Sequence, residues 1–313
     1  HLCRCTGYKK IVDSISGAAK SLRAGKVPPP APQTGLIGTR LPKYDIKDAV
    51  LGNRPYVADM RVPGMLHAAL HLSDHPRAKV LKVDVVAAAA LPGVRRVLVA
   101  GDVPGRRLQG SIIQDWPLLV APGEETGYIG DALALVVADT RAQAQEAARA
   151  VTVAYEVLEP VTGVEAALAP GAPRLRAKGN VLSVSKAKKG DAEAAFASCA
   201  YVHEAVYQTQ FIEHAYMETE AALAVNEDGR LCVYSQSQGV YEDRRQLAAL
   251  LALPDDRVNV VLVPNGGGFG GKEDMIAQGH AALAAHVLGR PVKLELTREE
   301  SLLMHSKRHP LRM

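Results

Sequence analysis

Aromatic side chains are scarce in this chain of 313 residues, at 4% of the composition. Surfaces that stack nucleic-acid bases use such rings freely, so a base-stacking role is disfavoured from the outset. A dominant charge sign is missing too: 37 basic residues stand against 33 acidic ones, a net charge of +4 spread along the chain. With no basic block beyond Ser306, Lys307, Arg308 and His309, the pattern predicts neither a DNA partner nor a membrane surface. Long apolar runs are also lacking, since none reaches the ~18–20 residues that a membrane span needs. The short runs at 85–91 and 133–137 read as core elements, and a secretory signal is not expected.

What is present suits a folded chain of about two domains, at ~100–200 residues each. Apolar residues make up 48% and charged residues 22%, close to a soluble globular average. Ala, Val and Leu dominate, a composition suited to helices packed closely on sheets. The sequence opens at His1 in mid-motif and soon meets a proline-rich strap at 27–33. A piece of a longer chain is therefore expected, lacking its beginning.

Cys199 and Cys232 each sit alone in apolar alternating stretches and read as buried, inert thiols. Cys3 and Cys5 differ: one residue apart, they are badly placed to bond each other but well placed to reach one metal cluster. Arg4, Lys9 and Lys10 favour thiolate and offset the charge of an iron–sulfur cluster. Two surface thiols at a frayed terminus remain the plain alternative.

Residues 8–25 predict an amphipathic helix with Ile11, Ile15, Ala18, Ala19 and Leu22 on one stripe, the edge of a small domain at 1–26. A linker follows at 27–53, its later part extended. Residues 54–160 alternate strand signals (65–72, 79–83, 94–100, 132–138, 151–157) with helices at 85–91 and 140–150. An α+β or α/β sandwich with those helices on one face is expected there. After a linker at 160–178, the region 179–313 opens with Asp191 capping a helix at 192–198. It continues with a long strand at 201–211, a hairpin around Asn226–Glu227–Asp228–Gly229, a helix at 241–251, a strand at 258–263, a helix at 274–288 and a strand at 292–296. His67, His71 and His75 recur every fourth residue, but 65–72 alternates like a strand, so they read as surface or satisfied histidines. Glu213, His214 and Glu218 form an acid and imidazole cluster with no assigned role.

The most informative stretch runs Asn265, Gly266, Gly267, Gly268, Phe269, Gly270, Gly271, Lys272, Glu273, Asp274, between a strand and a helix. Five glycines let backbone approach a ligand closely and expose its N–H groups, and a helix starting near Asp274 adds a positive dipole end. A phosphate-binding P-loop would need Ser or Thr after Lys272, where Glu273 stands. The GxGxxG reading lacks its ribose-binding acid downstream. A tight turn using glycine for geometry alone is the plain alternative.

This stretch, preceded by Ser235, Gln236, Ser237, Gln238 and Gly239, resembles the molybdopterin-binding signature of the xanthine dehydrogenase and aldehyde oxidoreductase family, the molybdenum hydroxylases. Cys3–Arg4–Cys5–Thr6–Gly7–Tyr8 resembles the end of that family's second [2Fe-2S] motif. Further text (Ile37–Gly38–Thr39–Arg40–Leu41–Pro42–Lys43–Tyr44, Asp115–Trp116–Pro117, Phe211–Ile212–Glu213–His214–Ala215, Lys307–Arg308–His309–Pro310) is most similar to the selenium-dependent xanthine dehydrogenases. The implied fold is α+β: the remnant helix of a [2Fe-2S] domain, an α/β hammerhead at 54–160 and the first part of a molybdopterin-binding domain at 179–313.

By resemblance, Gly267, Gly268, Phe269, Gly270 and Gly271 lie beside the molybdenum–molybdopterin cofactor, and Gln238 bonds an oxygen ligand of the metal. Glu273 orients a heterocyclic substrate, since a carboxyl can share protons with purine nitrogens and carbonyls. Cys3 and Cys5 hold half of a [2Fe-2S] cluster. The implied reaction is oxidative hydroxylation of a purine such as xanthine or hypoxanthine, with two electrons leaving through the clusters. Selenium belongs to the subgroup, and the residues do not decide its presence. FAD is expected only on a separate flavoprotein subunit, because no flavin domain intervenes before the hammerhead. The parent enzyme is expected to be cytoplasmic, with its general base outside this chain and the chain alone inactive. An aldehyde-oxidising member and a non-catalytic redox subunit are the competing readings.

Overall fold

The computed structural model describes residues 8–27, 35, 37, 41–176 and 178–313. Cys3 and Cys5 lie outside the described residues, as does most of the proline strap. Helix α1 (Tyr8–Arg23) carries the expected stripe, and Ile11, Ile15 and Leu22 on it are exposed. A short helix, α2 (Ile46–Val50), interrupts the stretch expected to be fully extended.

Strands β1 (Leu66–Leu72), β2 (Ala78–Asp84) and β3 (Val94–Leu98) follow, with α3 (Val86–Ala89) between the last two. A two-residue ribbon, β4 (Leu108–Gln109) with β5 (Trp116–Pro117), precedes β6 (Ala132–Ala138), α4 (Arg141–Arg149) and β7 (Thr152–Val157). Thr140 caps α4 by accepting the Gln143 N–H, as its position just before the helix leads one to expect. The second linker holds α5 (Val164–Leu168). Then come α6 (Ala192–Phe196), β8 (Ala221–Glu227), β9 (Arg230–Ser235), α7 (Val240–Leu250), β10 (Val258–Leu262), α8 (Gln278–Leu288), β11 (Val292–Glu295) and α9 (Arg298–Met304).

One seven-stranded sheet, in the order β10-β9-β8-β11-β1-β6-β3, runs through both large regions. Its joint is the parallel pair β1 and β11, in register Leu66↔Val292 and Ala68↔Leu294. Period-two alternation sorts the two faces. Leu66, Ala68 and Leu70 join Leu247, Leu283 and their neighbours under α7 and α8. Ala69, with Ala134 and Val136 of β6, packs under α3 and α4 on the opposite face. With both faces covered, all seven residues of β6 are buried, which explains its unbroken apolar text.

Three expectations need correction. Among the described residues, 201–211 join no sheet: they run extended and mostly exposed, and the stretch 207–212 pairs with 308–313, through Tyr207 and Met313, Thr209 and Leu311, Ile212 and Arg308. Cys199 is exposed, since the short α6 before it buries none of its residues; its thiol donates to Ala195 O at 3.3 Å. Helix α8 begins at Gln278, not near Asp274, so its dipole end stands several residues from the glycines. Among the described residues no helix is long and apolar enough to cross a membrane.

Candidate functional site

Strands β9 and β10 are parallel neighbours in register Val258↔Leu231, so their C-terminal ends emerge at one edge of the sheet. The loop from β9 into α7 carries Gln238, and the loop from β10 toward α8 carries the glycines. Ligands of open α/β sheets bind outside such strand ends, and here the topology brings together two segments about 30 residues apart.

The contact between them is direct. Gln238 Oε1 accepts the Gly270 N–H at 3.0 Å and the Lys272 N–H at 3.4 Å, while Gln238 N donates to Lys272 O at 3.0 Å. A Cβ on Gly268 would stand 2.6 Å from that same Oε1, so glycine is required for the approach. Gly267 and Gly270 have φ of +105° and +89°, where L side chains are strained. Phe269 adopts φ +52° without being glycine, a costly left-handed conformation, and the residue is 52% exposed at the apex. Gln238, Gly270 and Glu273 are exposed as well. The apex of the elbow at Phe269 and Gly270 is open to solvent, while Gly268 and Gly271 on either side are buried.

Not all of its amides are free. Gly270 N–H is taken by Gln238 and Gly271 N–H by Gly268 O at 2.8 Å. Among the described residues, the N–H groups of Gly268 and Phe269 have no protein acceptor.

Beneath the turn lies a set of ionisable groups that sequence reasoning missed or left without a role. Lys272 is 2% exposed, with Nζ 3.2 Å from Glu218 Oε2 and 4.6 Å from the centre of the Tyr216 ring. Burial pushes the pKa of this ammonium down and that of Glu218 up, each shift opposed by the partner's charge. Tyr216 donates its hydroxyl to Glu220, and burial followed by that carboxylate raises its pKa. Glu220 lies 2.9 Å from His305 Nδ1, and Glu213 lies 2.8 Å from His305 Nε2. Burial works against ionisation of Glu220, but its neighbours His305, Tyr216 and Ser301 outweigh it and lower its pKa. Glu213, His214 and His305 bring potential ligand atoms within 4.8 Å of one another. Lys307 already supplies positive charge there, with its Nζ 2.9 Å from Glu213.

The cluster expected from sequence is therefore divided. Glu218 serves the glycine turn, while Glu213 and His214 group with His305. His67 and His71 sit on β1, where the His71 ring lies 2.9 Å from Ala148 O; the His75 ring meets Tyr155 edge-on.

Asp274 links the turn outward, accepting the hydroxyls of Ser111 at 3.0 Å and Ser306 at 3.1 Å. A groove of about 620 Å³ lies nearby, walled by Trp116, Tyr128, Arg176, Phe211 and His305. Gln238, Phe269 and Glu273 do not line it.

Two family models match this geometry's host regions. "Molybdopterin cofactor-binding domain" covers residues 175–313, and "Aldehyde oxidase and xanthine dehydrogenase, a/b hammerhead domain" covers residues 51–159. The chain is 37% identical over 279 residues to the nicotinate dehydrogenase large molybdopterin subunit of Eubacterium barkeri, covering 89% of this chain and 65% of that protein. It is 38% identical over 270 residues to a probable xanthine dehydrogenase subunit of Bacillus subtilis (strain 168), covering 86% and 36%. Among solved structures, the aldehyde oxidoreductase from Desulfovibrio gigas superposes with a TM-score of 0.90 at 29% identity, over 99% of this chain and 36% of that one. The chain thus spans about one to two thirds of the length of these relatives.

Proposed function

Because this chain belongs to the molybdenum hydroxylase family of xanthine dehydrogenases and aldehyde oxidoreductases, we propose that it holds the molybdenum–molybdopterin group of an enzyme that hydroxylates a nitrogen heterocycle. A purine such as xanthine or hypoxanthine is the substrate proposed. The observation that carries this is the meeting of Gln238 with the Phe269 turn, an exposed site built from two segments remote in sequence. The residues fit the cofactor on geometric grounds: the space a Cβ on Gly270 would enter is open, and the N–H groups of Gly268 and Phe269 have no protein acceptor among the described residues. When bound, the group supplies two-electron oxidation with oxygen drawn from water.

The chain's own residues do the rest. Gln238 spends its Oε1 on Gly270, which leaves its amide NH₂ as a donor toward an oxygen ligand of the metal. The free N–H groups of Gly268 and Phe269 face the cofactor, and the exposed Phe269 ring walls the reacting centre. Glu273, on the rim of the turn, accepts a ring N–H and so fixes which carbon is presented. Cys3 and Cys5 hold half of a [2Fe-2S] cluster that carries electrons away. A flavoprotein on a separate chain receives them, in keeping with the two relatives whose names describe them as subunits of larger enzymes. Oxidation of an aldehyde is the second reading, favoured by the close superposition on the aldehyde oxidoreductase.

The test uses the purified protein that carries this chain, assayed with xanthine, hypoxanthine, nicotinate and an aldehyde. Purines are expected to turn over fastest. Glu273→Gln is expected to raise KM for the heterocycle by about tenfold, as loss of one charge-assisted hydrogen bond would, and to leave the aldehyde unaffected. A preference for aldehydes that Glu273→Gln does not alter removes the purine assignment. A protein purified without molybdopterin removes the cofactor assignment.

A further inference from the structure

The turn that carries Phe269 is closed from below by a charge pair that none of these roles uses. Glu218 Oε2 accepts the Gly266 N–H at 2.6 Å and meets Lys272 Nζ at 3.2 Å, and Glu218 N donates to Gly266 O at 3.3 Å. One carboxylate therefore holds both ends of the turn, Gly266 through backbone and Lys272 through its side chain. Lys272 in turn is bonded to Gln238 through its own N–H and carbonyl. Its ammonium rests over the Tyr216 ring, and Tyr216 is tied through Glu220 to His305, just past α9. Space is tight on this underside: a Cβ on Gly266 would stand 2.5 Å from the Glu218 Cβ, and one on Gly271 would stand 3.0 Å from both His214 and Tyr216. A buried ion pair is a poor source of net stability but a good device for fixing one arrangement among several.

We infer that Lys272 is a positioning residue: paired with Glu218 across the base of the turn, it holds the Gly268 and Phe269 amides and the Gln238 side chain in the arrangement that receives the cofactor. The identity of that ligand rests on the function proposed above, whereas the clamp itself does not.

Amide hydrogen exchange and bound pterin, measured on the purified protein, read the two separately. Lys272→Met is expected to speed exchange at the hydrogen-bonded amides of residues 270–272 by about tenfold or more while β9 and β10 keep their protection. Retained molybdopterin should fall with it. Glu218→Gln should repeat both effects, and Lys272→Arg should restore both. Unchanged exchange at 270–272 in Lys272→Met and Glu218→Gln overturns the clamp. If Lys272→Met loosens β9 and β10 as well, the other two variants decide: local loss in Glu218→Gln with recovery in Lys272→Arg supports positioning, and general loosening in all three overturns it. Local loosening in a protein that carries no pterin supports the clamp and removes the proposed cofactor.

Discussion

At the scale of single residues, Asp243 has an environment that its sequence context does not imply. It sits in the first turn of α7, where an acid is ordinarily welcome to the helix dipole. Yet it is fully buried under the Gln238 loop, 3.4 Å from Ser235 Oγ. That serine also receives the Ser237 N–H and a Gln278 amide hydrogen. Burial, with the charge of Asp274 nearby, pushes the Asp243 carboxyl up to about 7 despite its serine partners. Its folded-state pKa lies above the unfolded value, so the native state binds the extra proton between about 3.8 and 7. Stability from this group is therefore complete at low pH and declines as pH rises through that window, with a ceiling of roughly 4 kcal/mol. Asp243→Asn keeps the shape without the charge. Urea unfolding at pH 5 and pH 8 is expected to show a stability loss in the parent that is largely absent in the variant. No sequence signal marked Asp243, because an acid at a helix start looks unremarkable until the fold places it under a loop. Lys272 escaped notice for the same reason: its burial depends on Glu218 and Tyr216, which are far away in the chain.

At the scale of elements, the glycine turn was legible because chemistry restricts it locally: five glycines around one phenylalanine demand unusual backbone. What stayed hidden was which glycines serve conformation and which serve contact. Gly268 is a contact position, since a Cβ there would collide with Gln238 Oε1 at 2.6 Å. Gly270 is a conformational position, with φ +89° and open space where its Cβ would go. Gly270→Ala is expected to cost about 1 kcal/mol of stability through backbone strain alone, leaving bound molybdopterin unchanged. Gly268→Ala is expected to displace Gln238 and lose most of the bound pterin at comparable stability. Thermal unfolding together with pterin content separates the two, and equal pterin loss in both variants would contradict this division. The stretch 201–211 shows the opposite limit of local reading. Alternation reports an extended backbone, but sheet membership needs a partner strand, and here the partner is only 308–313. Helix α8 starts late for a similar reason, because Asp274 is engaged by Ser111 and Ser306 in a non-helical loop.

At the scale of the whole molecule, the two large regions look separable in sequence because a linker rich in Pro and Gly divides them. The structure fuses them into one sheet. Leu66 N donates to Pro291 O at 2.8 Å at the start of the β1 and β11 pair. Gly105 and Arg106 donate to the carbonyls of Leu250 and Ala249 at the end of α7, and the fully buried His280 of α8 sits 2.9 Å from Leu118 O. Lys293, on β11, is 2% exposed and donates to Ala58 O at 2.9 Å and Met60 O at 3.1 Å. Alternation along a four-residue strand gives no hint that this lysine points inward to satisfy backbone carbonyls of the other region. A shared sheet and shared buried hydrogen bonds couple the two regions' unfolding. In the 313-residue chain, fluorescence of Trp116, the single tryptophan, is expected to report the same midpoint as far-ultraviolet circular dichroism. Lys293→Met fills the same space but leaves the two carbonyls without their donor. It should lower stability by about 1–3 kcal/mol and move both midpoints together. Two separated transitions in the parent chain, or a shift confined to one probe in the variant, would mean that the linker and not the sheet sets the unit of folding.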